Sequence, residues 1–153
     1  MMNIKRMICC AFLAAMCAGS FAQDQEEWKL VWSDEFNING RPDSTVWNYE
    51  IGFQRNHEEQ WYQPANAYCK GGCLVIEAKK EKKERKNPGY DKNSQRWPQN
   101  VENIRYTSAL LYTAQKKEFL YGRVEVRAKI PTASGAWPAI WLLGRGMEWP
   151  SNG

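Results

Sequence analysis

Between residues 123 and 130 the chain alternates without fault. Val124, Val126, Ala128 and Ile130 are apolar, and Glu125, Arg127 and Lys129 between them are charged. Successive side chains of a strand leave opposite faces, so this period-two pattern predicts a strand with one face buried and one wet. An alternation of this kind excludes a helix and commits the neighbourhood to a sheet. The rest of the chain agrees, because helix signals are nearly absent and short apolar segments alternate with turn residues, the pattern of an all-β sandwich or barrel. Strands are expected over 28–32, 105–113 and 119–130, and a further buried strand over 136–143, which is apolar throughout. Residues 37–43 (NINGRPD) and 87–100, with Pro88, Gly89 and Pro98, read as loops. The basic run 79–86 (KKEKKERK) reads as a solvated loop because Glu81 and Glu84 interrupt it.

Residues 67–79 read as a hairpin whose turn is Lys70-Gly71-Gly72, with the glycine pair free to take positive φ. Cys69 and Cys73 flank that turn. In an oxidising compartment a disulfide between them is feasible, and two separate thiols are the alternative. With a single histidine, His57, they cannot fill four zinc positions.

The start of the chain belongs to a different category. Lys5 and Arg6 precede an apolar stretch over 7–18, and Gly19-Ser20-Phe21-Ala22 offers small residues where a signal peptidase reads. The apolar stretch is shorter than the roughly 20 residues that span a bilayer. Residues 1–22 are therefore expected to be a cleaved signal peptide, with cleavage after Ala22 and a secreted or periplasmic product. No stable membrane insertion is expected after that cleavage. Three of the five cysteines leave with this leader, and so do Lys5 and Arg6. The 21 basic and 17 acidic residues of the whole chain thus shrink to a mature excess of two positive charges, too small and too dispersed for nucleic acid.

What the composition does favour is sugar. All eight tryptophans lie beyond the leader, and flat indole faces stack on the apolar faces of pyranose rings. Trp137 and Trp141, four residues apart, would sit on one face of a strand about 13 Å apart at about 3.3 Å per residue. Spacing alone divides evenly between a sugar platform and a core role. There is no nucleophile elbow, phosphate loop or metal-binding histidine pair.

Five segments occur in order: Trp32-Ser33-Asp34-Glu35-Phe36, residues 66–78 (NAYCKGGCLVIEA), Tyr106-Thr107-Ser108-Ala109, residues 121–127 (YGRVEVR) and residues 135–143. Together they resemble glycoside hydrolase family sixteen, in its laminarinase-like, endo-β-1,3-glucanase branch, and the resemblance covers nearly all of the chain beyond Trp28. It implies an all-β antiparallel sandwich, a concanavalin-like jelly roll, of which residues 23–153 are the N-terminal portion. It also implies retaining endo-hydrolysis of β-1,3- or mixed β-1,3/1,4-glucan by two glutamates in a Glu-x-Asp-x-x-Glu strand. That motif normally follows a Trp-Pro-x-x-Gly segment, which here is Trp149-Pro150-Ser151-Asn152-Gly153. No carboxylate in the chain matches the catalytic positions; Glu77 and Glu125 read as solvent-face charges. The resemblance places Asn66, Trp137, Trp141 and Trp149 at the substrate. It allows a structural calcium ion to which Glu35 and Gly71 would contribute, with no other cofactor required. Leu110 stands where a basic residue is common. The expected partner is a β-glucan polysaccharide, and the completed protein is expected to be a monomer. The 153-residue chain alone is expected to be inactive and poorly folded. The competing class is a non-catalytic secreted glycan-binding jelly roll.

Overall fold

The computed structural model describes residues 28–145. The expected signal peptide, Trp149 and Gly153 lie outside the described residues. The chain divides after Asp34 into two units. In the first unit the expected strand 28–32 is not formed. Trp28, Leu30 and Val31 are exposed and the backbone joins no ladder among the described residues. The adjacent apolar pair Leu30-Val31 breaks the two-face alternation that would have given this segment one side to bury.

The second unit is built from strands and turns. Its elements are β1 (Asn48–Tyr49), β2 (Gln60–Tyr62), β3 (Ala67–Cys69), β4 (Leu74–Ile76), β5 (Lys79–Lys86), α1 (Trp97–Asn100), β6 (Asn103–Ser108) and β7 (Leu111–Tyr112), with a single 3-10 turn at Pro64–Asn66. They form three small sheets, ordered β1-β7, β2-β6-β5 and β3-β4. Every pairing is antiparallel except β2 with β6, which is parallel. A parallel pair needs a long crossover, and here the β3-β4 hairpin and β5 supply it.

The expected strand over 105–113 is split. β6 serves β2 and β5 and ends at Ser108; β7 then pairs with β1. Between them the Ser108 carbonyl accepts from the Gln63 amide and the Leu110 carbonyl from the Glu50 amide, so the chain passes from one sheet to the other with its backbone bonds kept.

The basic run 79–86 corrects its reading as a loop, because it is the longest strand, β5. It lies at the edge of its sheet and is irregular, with Lys80 opposite Tyr106 and Arg85 opposite Ile104. Charge does not prevent pairing, because an edge strand offers its backbone to one neighbour and its side chains to water. Lysines on such an edge also discourage pairing with other chains.

The hairpin is tighter than the sequence suggested. Lys70 and Cys73 exchange both backbone hydrogen bonds (2.9 and 3.2 Å), leaving a two-residue turn in which Gly71 has φ +59° and Gly72 φ +72°. Positive φ at both central residues defines a type I′ turn, whose twist suits the flanking strands. Cys69 faces Leu74 across β3-β4, so Cys73 falls one residue out of step and its side chain leaves by the opposite face. Cys69 is buried, Cys73 is exposed, and no disulfide joins them. The loop before this hairpin is tied to its end: Gly40 and Cys69 exchange backbone hydrogen bonds, and Gly71 donates to Asn39 Oδ1 at 3.0 Å.

Over residues 118–145 the chain forms no ladder among the described residues. Val124, Val126 and Ile130 are each more than half exposed, and the charged residues between them are exposed too. The expected strands 119–130 and 136–143 are therefore not formed among the described residues. Alternation describes what each face would meet, and a strand needs a partner ladder to hold it. The buried residues gather instead around β3 and β6: Phe53, Ala67, Cys69, Ile104 and Ala109, with Arg55, Asn66, Asn87 and Thr107 among them.

Candidate functional site

Four of those nine buried residues are polar, so their hydrogen bonds must be accounted for. Thr107 is wholly buried on β6 and Asn66 is 1% exposed at the end of the 3-10 turn. Asn66 Nδ2 donates to the Glu77 carbonyl (2.9 Å) and to Thr107 Oγ1 (3.0 Å), and its Oδ1 accepts from Gln63 Nε2 (2.7 Å). Thr107 Oγ1 in turn donates to Glu81 Oε1 at 2.6 Å, and Gln63 Oε1 accepts from Arg85 Nη2 at 2.8 Å. The chain of bonds leaves β5 at Arg85 and returns to it at Glu81, spanning the irregular stretch. It fastens the 3-10 turn, β5 and β6 together. Asn66, expected at the substrate, is committed here to the protein through both amide hydrogens and its oxygen.

A second cluster lies around 50–62. Arg55, buried, pairs with Glu50 through Nη2 and Oε1. Tyr62 donates to Glu58 Oε2 (3.0 Å) and accepts from Gln60 Nε2 (2.7 Å). Burial pushes the Tyr62 phenol up to about 12; the Gln60 hydrogen bond opposes that rise and the Glu58 charge reinforces it. Asn56 and His57 both have left-handed backbones (φ +56° and +55°) in the turn closed by the Glu58 amide on the Arg55 carbonyl. Such a pair is uncommon outside glycine, with asparagine and histidine among the residues that best tolerate it.

This turn presents His57 to Trp97, with ring centroids 5.0 Å apart. Trp97 also meets Phe53 edge-on at 5.6 Å, and Phe53 meets Trp61 at 5.4 Å. Trp97 is carried by the loop 87–102, which Asn87 organises. Its buried amide donates to the Pro98 and Val101 carbonyls (2.8 Å each) and accepts from the Gly89 amide. Sequence reasoning passed over Gln63, Tyr62 and Trp97 as site residues; Thr107 stood out only as part of the Tyr106–Ala109 segment, and Trp97 only as one of the indoles.

Of the indoles expected at a sugar, Trp137 is 92% exposed and Trp141 43%. Glu125 pairs with Arg123 on the surface. Glu77 accepts from Tyr68 Oη and pairs with Lys79, which holds its carboxyl below the usual range, helped by Tyr68. Glu35 is exposed and Gly71 spends its amide on Asn39. Among the described residues no three His, Cys, Asp or Glu side chains gather.

A model of the family described as Beta-glucan synthesis-associated protein SKN1/KRE6/Sbg1 matches residues 15–147. The chain belongs to that family. It is 36% identical over 170 residues to a beta-glucanase of Rhodothermus marinus, covering 100% of this chain and 53% of that protein. To a glucan endo-1,3-beta-glucosidase of Cryptopygus antarcticus it is 35% identical over 150 residues, covering 92% of this chain and 47% of that one. Among solved structures, the laminarinase catalytic domain of Thermotoga maritima matches at TM-score 0.51 and 36% identity, over 63% of this chain and 36% of that one. A structure from work on endo-acting O-glycanases, which prominent human gut bacteria express to initiate mucin breakdown, matches at TM-score 0.56 and 37% identity, over 64% and 35%. The chain thus spans about half the length of these curated relatives or less. The resemblance to the laminarinase branch of glycoside hydrolase family sixteen holds, and with it the jelly-roll fold class.

Proposed function

We propose that this chain is the substrate-cleft scaffold of an exported retaining endo-hydrolase of β-1,3- or mixed β-1,3/1,4-glucan. The observation that carries this reading is the likeness to the Rhodothermus marinus beta-glucanase along the whole chain. The family description, though framed around synthesis, names the same polymer. In this proposal Trp137, Trp141 and Trp149 contact sugar rings by stacking. Asn66 enters as a positioning residue, fixing the 3-10 turn against β6. The nucleophile and acid/base glutamates are expected in a Glu-x-Asp-x-x-Glu strand following Gly153, about 5–5.5 Å apart as retention requires. The leader read in residues 1–22 supports export.

The test is reducing-end release by the full-length protein on laminarin, with lichenan, keratan sulfate and mucin O-glycans as comparisons. Cleavage of laminarin, abolished by Glu→Gln at the first glutamate of that strand, is the expected result. Binding to laminarin without cleavage would replace this reading with a non-catalytic glycan-binding jelly roll. Cleavage confined to the galactose-containing glycans would overturn the glucan assignment.

A further inference from the structure

The cleft beside Trp97 is not among the positions assigned to substrate above. It has a volume of about 400 Å³, within the size range of small-molecule sites. Trp97, Phe53 and His57 form its aromatic wall, and Glu59, Asn103 and Tyr106 line it with polar groups. Glu59 is exposed, and among the described residues neither its carboxylate, the Asn103 amide nor the Tyr106 hydroxyl takes a side-chain hydrogen bond or ion pair. The wall is built rather than incidental. Asn87 clamps the loop that carries Trp97, the Asp91 amide donates to the Gln99 carbonyl (2.8 Å), and Ser94 Oγ donates to Gln99 Oε1 (2.7 Å). On the facing side, the Arg55–Glu58 turn holds His57 in a left-handed conformation against the indole.

An aromatic wall with an uncommitted acceptor, an amide that both donates and accepts, and a phenol suits a neutral polyol. A pyranose has apolar C–H faces for the ring and hydroxyls of both senses for the rim. A phosphate or sulfate would be repelled by Glu59, which has no cation paired to it among the described residues, while the other charges of the rim are already paired, Glu102 with Lys86 and Arg105 with Glu84. We infer that the cleft walled by Trp97, Phe53 and His57 is an additional saccharide subsite that takes one pyranose unit of the glycan. The inference rests on the glucan-hydrolase reading for the identity of that glycan, while the site stands on its own geometry.

The experiment measures retardation of the full-length protein in native gels containing laminarin, for the wild type and for Trp97→Ala, Glu59→Ala and Asn103→Ala. Melting temperatures are recorded in parallel. Loss of the indole is expected to weaken binding about five- to tenfold, and loss of either rim group about two- to tenfold. Trp97 also packs on Phe53, so if Trp97→Ala lowers the melting temperature the decision falls to the two rim variants. Wild-type retardation with both rim variants within twofold of it overturns the subsite and leaves the function reading intact. A wild type neither retarded by laminarin nor active on it overturns the function reading and this inference with it.

Discussion

Thr107→Val is the most informative single change in the polar core. Valine has nearly the shape of threonine, so no cavity opens and the effect isolates the hydroxyl. At 0% exposure no water can take its place beside Asn66. One Asn66 Nδ2 hydrogen, now bonded to Oγ1 at 3.0 Å, is left buried without an acceptor, at a cost of about 1–3 kcal/mol. Glu81 loses its 2.6 Å charge-assisted bond but is partly exposed and recovers some of it from solvent, leaving about 1 kcal/mol. The expected loss is about 2–4 kcal/mol, or roughly 2–4 °C of melting temperature per kcal/mol in a domain of this class. Urea unfolding of the full-length protein, with an unchanged m-value, is the assay. Thr107→Ser keeps the hydroxyl and gives up one methyl, for about 1 kcal/mol. A valine variant within about 0.5 kcal/mol of wild type, or a serine variant as damaging as the valine, would refute the network's role; the first threshold matches what ordinary surface changes cost.

Further outcomes can be checked on the same protein. Gly71→Ala should lower the unfolding free energy measured in urea by about 1 kcal/mol, because the site is open but the φ of +59° is left-handed, and Gly71→Asn should recover most of it. For Tyr62 the folded phenol holds its proton more tightly than the unfolded one, so its stabilising effect is complete below pH 10. That effect is lost as the pH climbs from 10 towards 12, and absorbance titration of the tyrosines should show one phenol ionising last. In the leader-free protein a thiol reagent should modify Cys73 quickly and Cys69 only on unfolding. Equal rates would contradict the hairpin register.

How far the sequence could be read depended on what each signal encodes. The hairpin was legible because Gly71 and Gly72 carry their own conformational requirement. Its turn length was not, since Lys70 carries no mark of whether it pairs or turns, and the disulfide reading failed on that single residue. β5 was misread because KKEKKERK advertises solvent-loving side chains, while strand formation there is decided by the backbone of β6. The alternation at Val124, Val126 and Ile130 was real in composition, yet no partner among the described residues gives it a ladder. Asn66 was found through the resemblance, but its commitment to Thr107, 41 positions away, is a tertiary fact with no local trace. Trp97 was visible only as one tryptophan among eight, and its loop is organised by the buried amide of Asn87 rather than by any motif.

The two-residue turn at Gly71-Gly72 gives the hairpin a parity. With an even number of residues between Lys70 and Cys73, the two cysteines point to opposite sides and remain chemically independent, however oxidising the surroundings. One residue inserted after Gly72, with the two-residue turn kept, would pair with Lys70, swing the second strand's side chains over, and set the two sulfurs opposite each other. The redox behaviour of this hairpin is thus governed by its register, and a covalent staple lies one codon away from a pair of thiols that never meet.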